Sequence, residues 1–410
     1  MSTSRRHFLQ QLSAAGIVSL GARPPEFLAR AAHAAEASTD KGRVLVVVQL
    51  AGGNDGLNTV IPYADAEYAK ARPGIAIARD SVLKLNDDIG LHPAMTGMHE
   101  LFESGQLAVI QGVGYENPNR SHFRSMDIWH SARPDMEETR DGWLGRAIED
   151  ESQFRPGSLP ALALGMDRLP LALVSGRMSV PAVRDLSDYR LELGSGPQRK
   201  RHVETLTAAT QIPAEAGSEL EFLRSTARTA MTSAERLSEV TKSYSAAAEY
   251  PSNGLATRLK VIAQAVAAEL GTRVFYLSLG GFDTHSQQEG AHQALLTELS
   301  SAVAAFFADL EGHGLADRIM LATFSEFGRR VKENGSLGTD HGAASQMFAM
   351  GPKVNGGIHG DHPSLTDLHQ GDLKFHTEFR SVYATLLEDW LGVNSERVLG
   401  SPFPKLKLVG

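Results

Sequence analysis

One uninterrupted apolar run limits the fold of this 410-residue chain more than any other feature of its sequence. The segment Arg43–Leu50 reads RVLVVVQL and is rich in β-branched residues. A strand that is apolar on both faces is typical of the centre of a parallel sheet, because helices cover both sides of such a sheet. The run therefore predicts an α/β protein built around a buried strand.

Further strand-like segments alternate with segments of helical periodicity. The strands are predicted at Leu107–Val113, Arg273–Leu279, Arg318–Phe324 and Gln346–Met350, and the helices at Ala64–Ala71, Pro93–Ser104, Ala291–Leu310 and Glu378–Leu391. Strands separated by helices imply right-handed crossover connections. We therefore predict a doubly wound, mostly parallel α/β sheet within a domain of residues 43–410.

The middle of the chain has a different pattern. Residues 186–268 are rich in Ser, Ala, Glu and Arg, and they show helical periodicity with almost no strand pattern. A Gly-Ser-Gly-Pro turn lies at residues 194–197. This region predicts a helical insertion or cap.

The N-terminus has the features of an export signal. Arg5 and Arg6 precede Phe-Leu, an apolar run follows, and Ala32-His33-Ala34 forms a small-x-small cleavage site. An ordinary amphipathic helix would not explain these features in this order. They predict a twin-arginine signal peptide of residues 1–34 and delivery by the Tat translocase to the periplasm or the exterior. The apolar run is too short for a membrane span, and no later segment predicts a transmembrane anchor.

Composition excludes several classes of site and partner. The chain has no cysteine, which excludes disulfides, thiolate metal sites and cysteine nucleophiles. Its formal net charge is −8 and it has no basic stripe, so nucleic acid is not expected as a partner.

Polar, glycine-flanked segments follow the predicted strands. They are Gly52–Gly56, Tyr115–His122, Gly280–His285 and Ser325–Arg329, with Gly338–Gly342 just before the fifth strand. Ligands of open α/β sheets bind beyond the carboxyl ends of the strands. Carboxylates and imidazoles gathered there are suitable ligands for a divalent metal. The sequence therefore predicts a metal site at one rim of the sheet.

Each of these residues also has a purely structural interpretation. Asp55 lies in Asn-Asp-Gly and could be a turn former. Ser121 and Asp283 could be helix N-caps, and Asp340-His341 could only bond to neighbouring backbone. For Ser121, capping and catalysis are compatible, because the start of a helix also binds anions.

Six short segments together resemble a known bacterial family, domain of unknown function 1501, over nearly the whole chain. They are Leu50–Asn58, Asn119–Phe123, Gly281–His285, Ser325–Arg329, Gly338–Gly342 and Phe379–Tyr383. That family is similar to the alkaline phosphatase superfamily, which also contains sulfatases and cofactor-independent phosphoglycerate mutases. The resemblance implies a sheet of the alkaline phosphatase/sulfatase type, two divalent metals held by Asp and His, and a Ser or Thr nucleophile at a helix start.

Carried onto this chain, the resemblance implies a set of site residues. The implied metal ligands are Asp55, Asp283, His285, Glu326, Asp340 and His341, with His359 and His362 as lesser candidates. The implied catalytic residues are the nucleophile Ser121, its alternative Ser125, and the anion-binding arginines Arg120, Arg124 and Arg329. The chain departs from the superfamily in two ways. One residue separates Asp283 from His285 where three are usual, and Glu326 takes the place of a histidine. The number of metal ions, one or two, therefore stays open.

The implied function is an exported, metal-dependent hydrolase of phosphate or sulfate esters that acts through a seryl intermediate. Zinc is the expected metal, with magnesium, manganese and calcium as alternatives, and the expected substrate is an anionic small-molecule or glycan ester. A sulfatase is less favoured, because the chain lacks the Cys/Ser-x-Pro-x-Arg motif that is required for the formylglycine modification. The other alternative is a non-catalytic cell-envelope protein that keeps the fold for binding or assembly.

Overall fold

The computed structural model of the protein describes residues 42–149, 160–176, 180, 182–183, 205, 208 and 244–410. The predicted signal peptide lies outside the described residues, as does most of the predicted helical insertion. The last part of that insertion contains a helix, Gly254–Ala267, which packs into the main hydrophobic core.

The described strands and helices follow the predicted alternation. The strands are β1 (Val44–Ala51), β2 (Val60–Ile61), β3 (Leu83–Lys84), β4 (Gly90–Leu91), β5 (Leu107–Gly114), β6 (Ala161–Leu164), β7 (Ala182–Val183), β8 (Val274–Gly280), β9 (Ile319–Phe324), β10 (Ser345–Met350), β11 (Gly357–His359), β12 (Leu368–His369), β13 (Asp372–Leu373) and β14 (Thr377–Glu378). The helices are α1 (Ala66–Ala71), α2 (Thr96–Glu103), α3 (His122–Ser131), α4 (Trp143–Glu149), α5 (Gly254–Ala267), α6 (Gln288–Gly312), α7 (Phe379–Thr385) and α8 (Ser395–Leu399). A π-helical turn, Leu386–Leu391, continues α7.

The central sheet has nine strands among the described residues. Their order is β11-β5-β10-β9-β1-β8-β6-β7, and β14 pairs with β5 as well. Strand β1 is parallel to β8 and β9, whereas β10 is antiparallel to both β9 and β5. No helix separates β9 from β10, so this connection lacks the crossover that a parallel pair requires. The sheet is therefore mostly parallel, as predicted, with one internal antiparallel strand.

Helices cover both faces of this sheet. Along β1, Val46 and Val48 belong to a core cluster that includes residues of α2, α5 and α6. The alternate residues Leu45 and Val47 belong to a second cluster with residues of α3, α4 and α7. Successive side chains of a strand point to opposite faces, so this division confirms the doubly wound arrangement. No described helix is both long enough and apolar enough to cross a membrane.

The strand directions bring the predicted polar segments to one rim. Strands β1, β8 and β9 are mutually parallel, and β5 runs the same way because β10 is antiparallel to both β9 and β5. The segments after these four strands therefore leave the sheet at the same end. The segment before β10 arrives at that end as well, because β10 runs in the opposite direction.

Candidate metal centre

Two glycines allow the loops at this rim to pack against one another. Gly52 and Gly53 have φ angles of 119° and 77°, which side chains rarely permit. A Cβ atom on Gly52 would lie 2.4 Å from the backbone nitrogen of Asp283, and one on Gly53 would lie 2.3 Å from the Phe327 ring. The loop after β1 therefore contacts the loops after β8 and β9 directly.

Arg329 joins three of these loops from inside. Its side chain is fully buried, and an isolated antiparallel bridge pairs its backbone with His341. Its guanidinium donates to the carbonyl oxygens of Gly52, Gly53, Phe282 and Thr339. It also donates from Nη2 to Oδ1 of Asp283 at 2.8 Å. The predicted anion clamp is therefore engaged with protein acceptors, and it holds the Asp283 carboxylate in place.

Three histidines surround Asp283, and we call these four residues the Asp283 cluster. Oδ1 of Asp283 lies 3.0 Å from Nε2 of His285 and 3.2 Å from Nε2 of His341. Oδ2 lies 3.4 Å from Nε2 of His122. The Nε2 atoms of His285 and His341 are 2.8 Å apart. One ligand atom from each of His122, Asp283 and His341 lies within 4.8 Å of the others, which is close enough for them to share one metal ion.

The other ring nitrogen of each histidine faces an acceptor. Nδ1 of His341 lies 2.8 Å from the carbonyl oxygen of Arg120, which can only accept, so Nδ1 carries the hydrogen. Nδ1 of His122 lies 2.9 Å from Oε1 of Glu326. Nδ1 of His285 lies 3.4 Å from Oδ1 of Asp340. A neutral histidine protonated at Nδ1 has its lone pair on Nε2. The three Nε2 atoms converge on a carboxylate, an arrangement that fits a cation.

The protonation states suit metal ligands as well. Burial alone would raise the pKa of Asp283, but the hydrogen bond and the charge of Arg329 outweigh burial and hold the pKa at about 2. The pKa of His341 is lowered by burial, and the nearby charge of Arg329 lowers it further. At neutral pH the cluster therefore offers an ionised carboxylate and a neutral His341 imidazole.

Phe327 packs against two of the histidine rings, and one side of the Asp283 cluster is open to solvent. The buried Phe327 ring lies 4.9 Å from the His122 ring and 4.6 Å from the His341 ring, between centroids. The Asp283 and His285 side chains are 47% and 43% exposed. A solute can therefore reach the cluster from solvent.

Glu326 and Asp340, two of the predicted metal ligands, lie behind histidines. Glu326 is buried and accepts the backbone N–H of Gly52 at 2.8 Å, in addition to its contact with His122. Asp340 accepts from Nδ2 of Asn334 at 3.2 Å, and this bond, with His285 nearby, lowers the pKa of Asp340. Both carboxylates therefore contact the Nδ1 side of a histidine of the cluster.

Asp55 lies apart from the cluster in a fully buried ion pair. Its Oδ2 is 2.6 Å from Nη1 of Arg72, and both side chains are wholly inaccessible. Burial would raise the pKa of Asp55, but Arg72 outweighs burial and the pKa is lowered. Nε2 of Gln288 also donates to Asp55 at 2.5 Å, and its Oε1 accepts from the hydroxyls of Thr284 and Thr339. Asp55 thus anchors the loops that carry the cluster.

The two candidate serines have different surroundings. Ser121 is exposed at the N-cap of α3, and its side chain makes no capping hydrogen bond. Ser121 is next to the cluster along the chain. The carbonyl group of Arg120, whose oxygen accepts from Nδ1 of His341, forms the peptide bond to the Ser121 nitrogen. Ser125 is fully buried, and its hydroxyl donates to the carbonyl oxygen of Asn119 at 2.5 Å.

The other predicted residues are engaged elsewhere. Arg120 donates from Nε to Oδ2 of the buried Asp372 at 2.8 Å, and Arg124 donates to the carbonyl oxygen of Pro134 at 2.9 Å. His359 lies 2.8 Å from the carbonyl oxygen of Asn355. None of these contacts involves the Asp283 cluster.

Sequence reasoning did not single out His122 or Arg72. His122 lies inside a segment that matched the family, directly after the candidate nucleophile and at the first position of α3. A histidine at that position could have been predicted from the sequence to be a site residue. Arg72 follows the short helix α1 and gives no comparable signal, because nothing local relates it to Asp55.

No curated protein matches this chain significantly. One similar structure is the C-terminal periplasmic domain of EcEptC from Escherichia coli, in complex with Zn, with 10% identity, a TM-score of 0.36, and coverage of 76% of this chain and 73% of that chain. Another is the PsFucS1 sulfatase from Pseudoalteromonas sp., with 12% identity, a TM-score of 0.40, and coverage of 97% and 74%.

A third is described as a protein in the alkaline phosphatase superfamily from Vibrio parahaemolyticus, with 8% identity, a TM-score of 0.33, and coverage of 87% and 71%. Similarity at this level carries no information on activity. The family comparison is stronger, because residues 42–403 match the family model described as "Protein of unknown function (DUF1501)". The model spans most of the sequence, and the chain belongs to the DUF1501 family.

Proposed function

We propose that this protein is a metal-dependent hydrolase of phosphate esters with its active site at the Asp283 cluster. One observation carries the proposal: the Nε2 atoms of three histidines meet at one carboxylate, while each Nδ1 faces an acceptor. Imidazole nitrogens with one carboxylate suit zinc better than magnesium or calcium, which prefer oxygen ligands.

We propose a single ion with His122, Asp283, His285 and His341 as its ligands. The carboxylates of Glu326 and Asp340 then orient ligand histidines and raise their basicity. Asp55 is not a ligand in this proposal, because Arg72 already compensates its charge.

Ser121 is the proposed nucleophile. A divalent ion at the cluster would supply Lewis-acid stabilisation of the developing charge. The Ser121 hydroxyl is exposed and makes no cap bond, so it is free to attack phosphorus. The Ser121 oxygen would bond to phosphorus as the bond to the ester oxygen breaks, and the proton lost by Ser121 would be balanced by the one that the leaving alcohol gains. Water would then attack the phosphoseryl ester, release phosphate and return a proton to Ser121. The start of α3 favours an anion beside the serine through its helix dipole. Ser125 is less suitable, because it is buried and its hydroxyl is engaged.

The proposed substrate is an anionic small-molecule or glycan phosphate ester outside the cytoplasm. Export is supported by the paired arginines and the Ala-His-Ala site within residues 1–34. A reporter fused to residues 1–40 should reach the periplasm through the Tat translocase, and the double variant Arg5→Lys/Arg6→Lys should not. Continued export of the double variant would contradict the assignment.

Metal analysis with an activity assay tests the enzyme proposal. Purified protein should contain about one divalent ion per chain and hydrolyse an aryl phosphate faster than an aryl sulfate. His122→Ala and His341→Ala should lose the ion, whereas His359→Ala, a matched change outside the cluster, should keep it. No stoichiometric metal in replete wild type would refute the proposal. Bound metal without turnover of either ester would favour the non-catalytic envelope protein.

A further inference from the structure

Asp372 is a buried carboxylate that the proposed mechanism does not use. Its side chain is 1% exposed, and it lies on β13, which pairs with β12 in a short antiparallel hairpin. Nε and Nη2 of Arg120 both donate to its Oδ2, the first of them at 2.8 Å. Its Oδ1 accepts no hydrogen bond from the residues that the structure describes, and lies 3.8 Å from Nε of Arg330. One buried carboxylate therefore faces two arginines.

Both arginines lie in segments that hold His341. The carbonyl oxygen of Arg120 is 2.8 Å from Nδ1 of His341. Arg330 directly follows Arg329, whose backbone forms the isolated bridge with His341. Asp372 is therefore bonded to the residue whose carbonyl group orients the His341 ring, and it lies close to the segment that pairs with the His341 backbone.

Arg120 also directly precedes two other residues of the proposed site. Ser121 follows it as the N-cap of α3, and His122 is the first residue of that helix. The position of the Arg120 backbone therefore affects the proposed nucleophile and two of the proposed metal ligands.

The hairpin holds Asp372 firmly. The next residue, Leu373, is buried in a small hydrophobic cluster that also contains Val331. The backbone N–H of His376 then donates to a carbonyl oxygen of β5 at 3.0 Å, and β14 pairs with the same strand. Asp372 is therefore fixed by hydrophobic packing and by the central sheet, so its contact can restrict the movement of Arg120.

Stabilisation of the fold does not explain this carboxylate. Burial raises the pKa of Asp372, and the hydrogen bond and charge of Arg120 do not outweigh burial. A carboxyl group whose pKa is raised by folding makes the folded protein less stable once the pH exceeds that pKa. The Arg120 side chain is 33% exposed, so solvent weakens its attraction to Asp372. At neutral pH the ionised carboxylate therefore lowers stability, and what it provides is a fixed position for Arg120.

We infer that Asp372 is a positioning residue that acts through Arg120 and holds the Nδ1 acceptor of His341 in place. The inference rests on the proposed function, because it concerns a ligand of the proposed metal centre. Without the Asp372 contact, the carbonyl group of Arg120 can shift away from Nδ1 of His341. The ring then exchanges between its two neutral tautomers, and Nε2 no longer always presents a lone pair to the ion.

Asp372→Asn tests the inference, because the amide keeps the shape of the side chain and removes its charge. Nitrogen NMR of chelator-treated protein with isotope-labelled histidine shows which ring nitrogen carries the hydrogen, and His341→Gln identifies the His341 signals. His341 should be protonated at Nδ1 in wild type and should be a mixture of tautomers in Asp372→Asn. Zinc affinity, measured by competition with a chromogenic chelator, should fall by about tenfold. The urea midpoint should stay close to that of wild type.

Two further variants control this experiment. Asp141→Asn is a matched change, because Asp141 also contacts two arginines, Arg133 at 3.1 Å and Arg146 at 2.6 Å. It should keep the zinc affinity of wild type. Arg120→Met removes the Asp372 contact from the other side and should reproduce both effects of Asp372→Asn. The double variant should bind zinc no more weakly than the weaker single variant, because both changes remove one interaction.

The outcomes separate this inference from the proposed function. Unchanged His341 signals and zinc affinity in Asp372→Asn would overturn the positioning role alone. Losses of affinity that multiply in the double variant, or a wild-type His341 that is protonated at Nε2, would overturn it as well. Wild type that binds no zinc would contradict the proposed function, whereas the tautomer of His341 in metal-free protein would still decide the positioning role.

Discussion

Nδ1 of His122 lies 2.9 Å from Oε1 of Glu326, and that oxygen also accepts the backbone N–H of Gly52 at 2.8 Å. Glu326 is buried, so its carboxylate holds the His122 ring at a fixed angle. It also determines which ring nitrogen faces Asp283. In the proposed site, Glu326 would therefore support His122 from behind rather than bind the ion itself.

Glu326→Gln should therefore weaken metal binding while the fold is kept. The amide has almost the same shape but no charge, so the His122 ring becomes less basic. Loss of such a partner typically costs roughly 10- to 100-fold in metal affinity. Competition with a chromogenic chelator measures the change. Glu298→Gln is a matched control, since Glu298 also accepts a backbone N–H, that of Leu255. Equal affinity in Glu326→Gln and wild type would refute this role.

Arg72→Met should strongly destabilise the protein. The change leaves Asp55 without its cation in a fully buried environment, and breaking such a pair costs about 3–5 kcal/mol. The carbonyl oxygens of Arg330 and Val331 would also lose a donor. Urea denaturation measures the free energy of unfolding. The double variant Arg72→Met/Asp55→Asn should be less destabilised than Arg72→Met, because no buried charge is left unpaired. A loss below about 1 kcal/mol in the single variant would contradict this account.

Stability should fall as the pH is lowered from 6.5 towards 4. Burial lowers the pKa of His130 to about 4, whereas the unfolded value is about 6.5. Between these values the unfolded chain binds more protons, so the free energy of unfolding decreases with falling pH. His130→Gln should make this slope shallower by up to ~1.4 kcal/mol per pH unit. Urea denaturation of chelator-treated protein at several pH values tests this, and equal slopes would refute it.

Much of the fold could be predicted from local patterns. Buried strands such as β1 and β8 are continuous apolar runs, and their ends were predicted to within one residue. The direction of β10 could not be predicted, because Ser345–Met350 looks the same in either orientation. Its direction depends on the connection from β9, which contains no helix.

The site could be predicted only as a set of rim residues. Strand ends place Asp283, His285 and His341 at one rim, and the structure brings these three together. Whether a carboxylate faces the Nε2 side or the Nδ1 side of a histidine depends on contacts between segments that are far apart in the sequence. The Asp55 contact with Arg72 is of this kind, and no local pattern encodes it.

Ser121→Ala should abolish turnover of an aryl phosphate while the protein keeps its fold and metal. Removal of a nucleophile lowers the turnover number by several orders of magnitude. The Ser121 side chain makes no cap bond, so the loss of stability should stay below ~1 kcal/mol. Steady-state kinetics, elemental analysis and urea denaturation of the same preparation measure the three quantities.

Ser125→Ala is the matched control for this prediction, because Ser125 lies one helical turn further along α3. Its buried hydroxyl donates to the carbonyl oxygen of Asn119, so removing it should cost about 1 kcal/mol of stability and leave turnover close to wild type. The opposite result, an active Ser121→Ala and an inactive Ser125→Ala, would make Ser125 the nucleophile. Full activity in both variants would contradict a covalent serine mechanism, since no other hydroxyl was assigned that role.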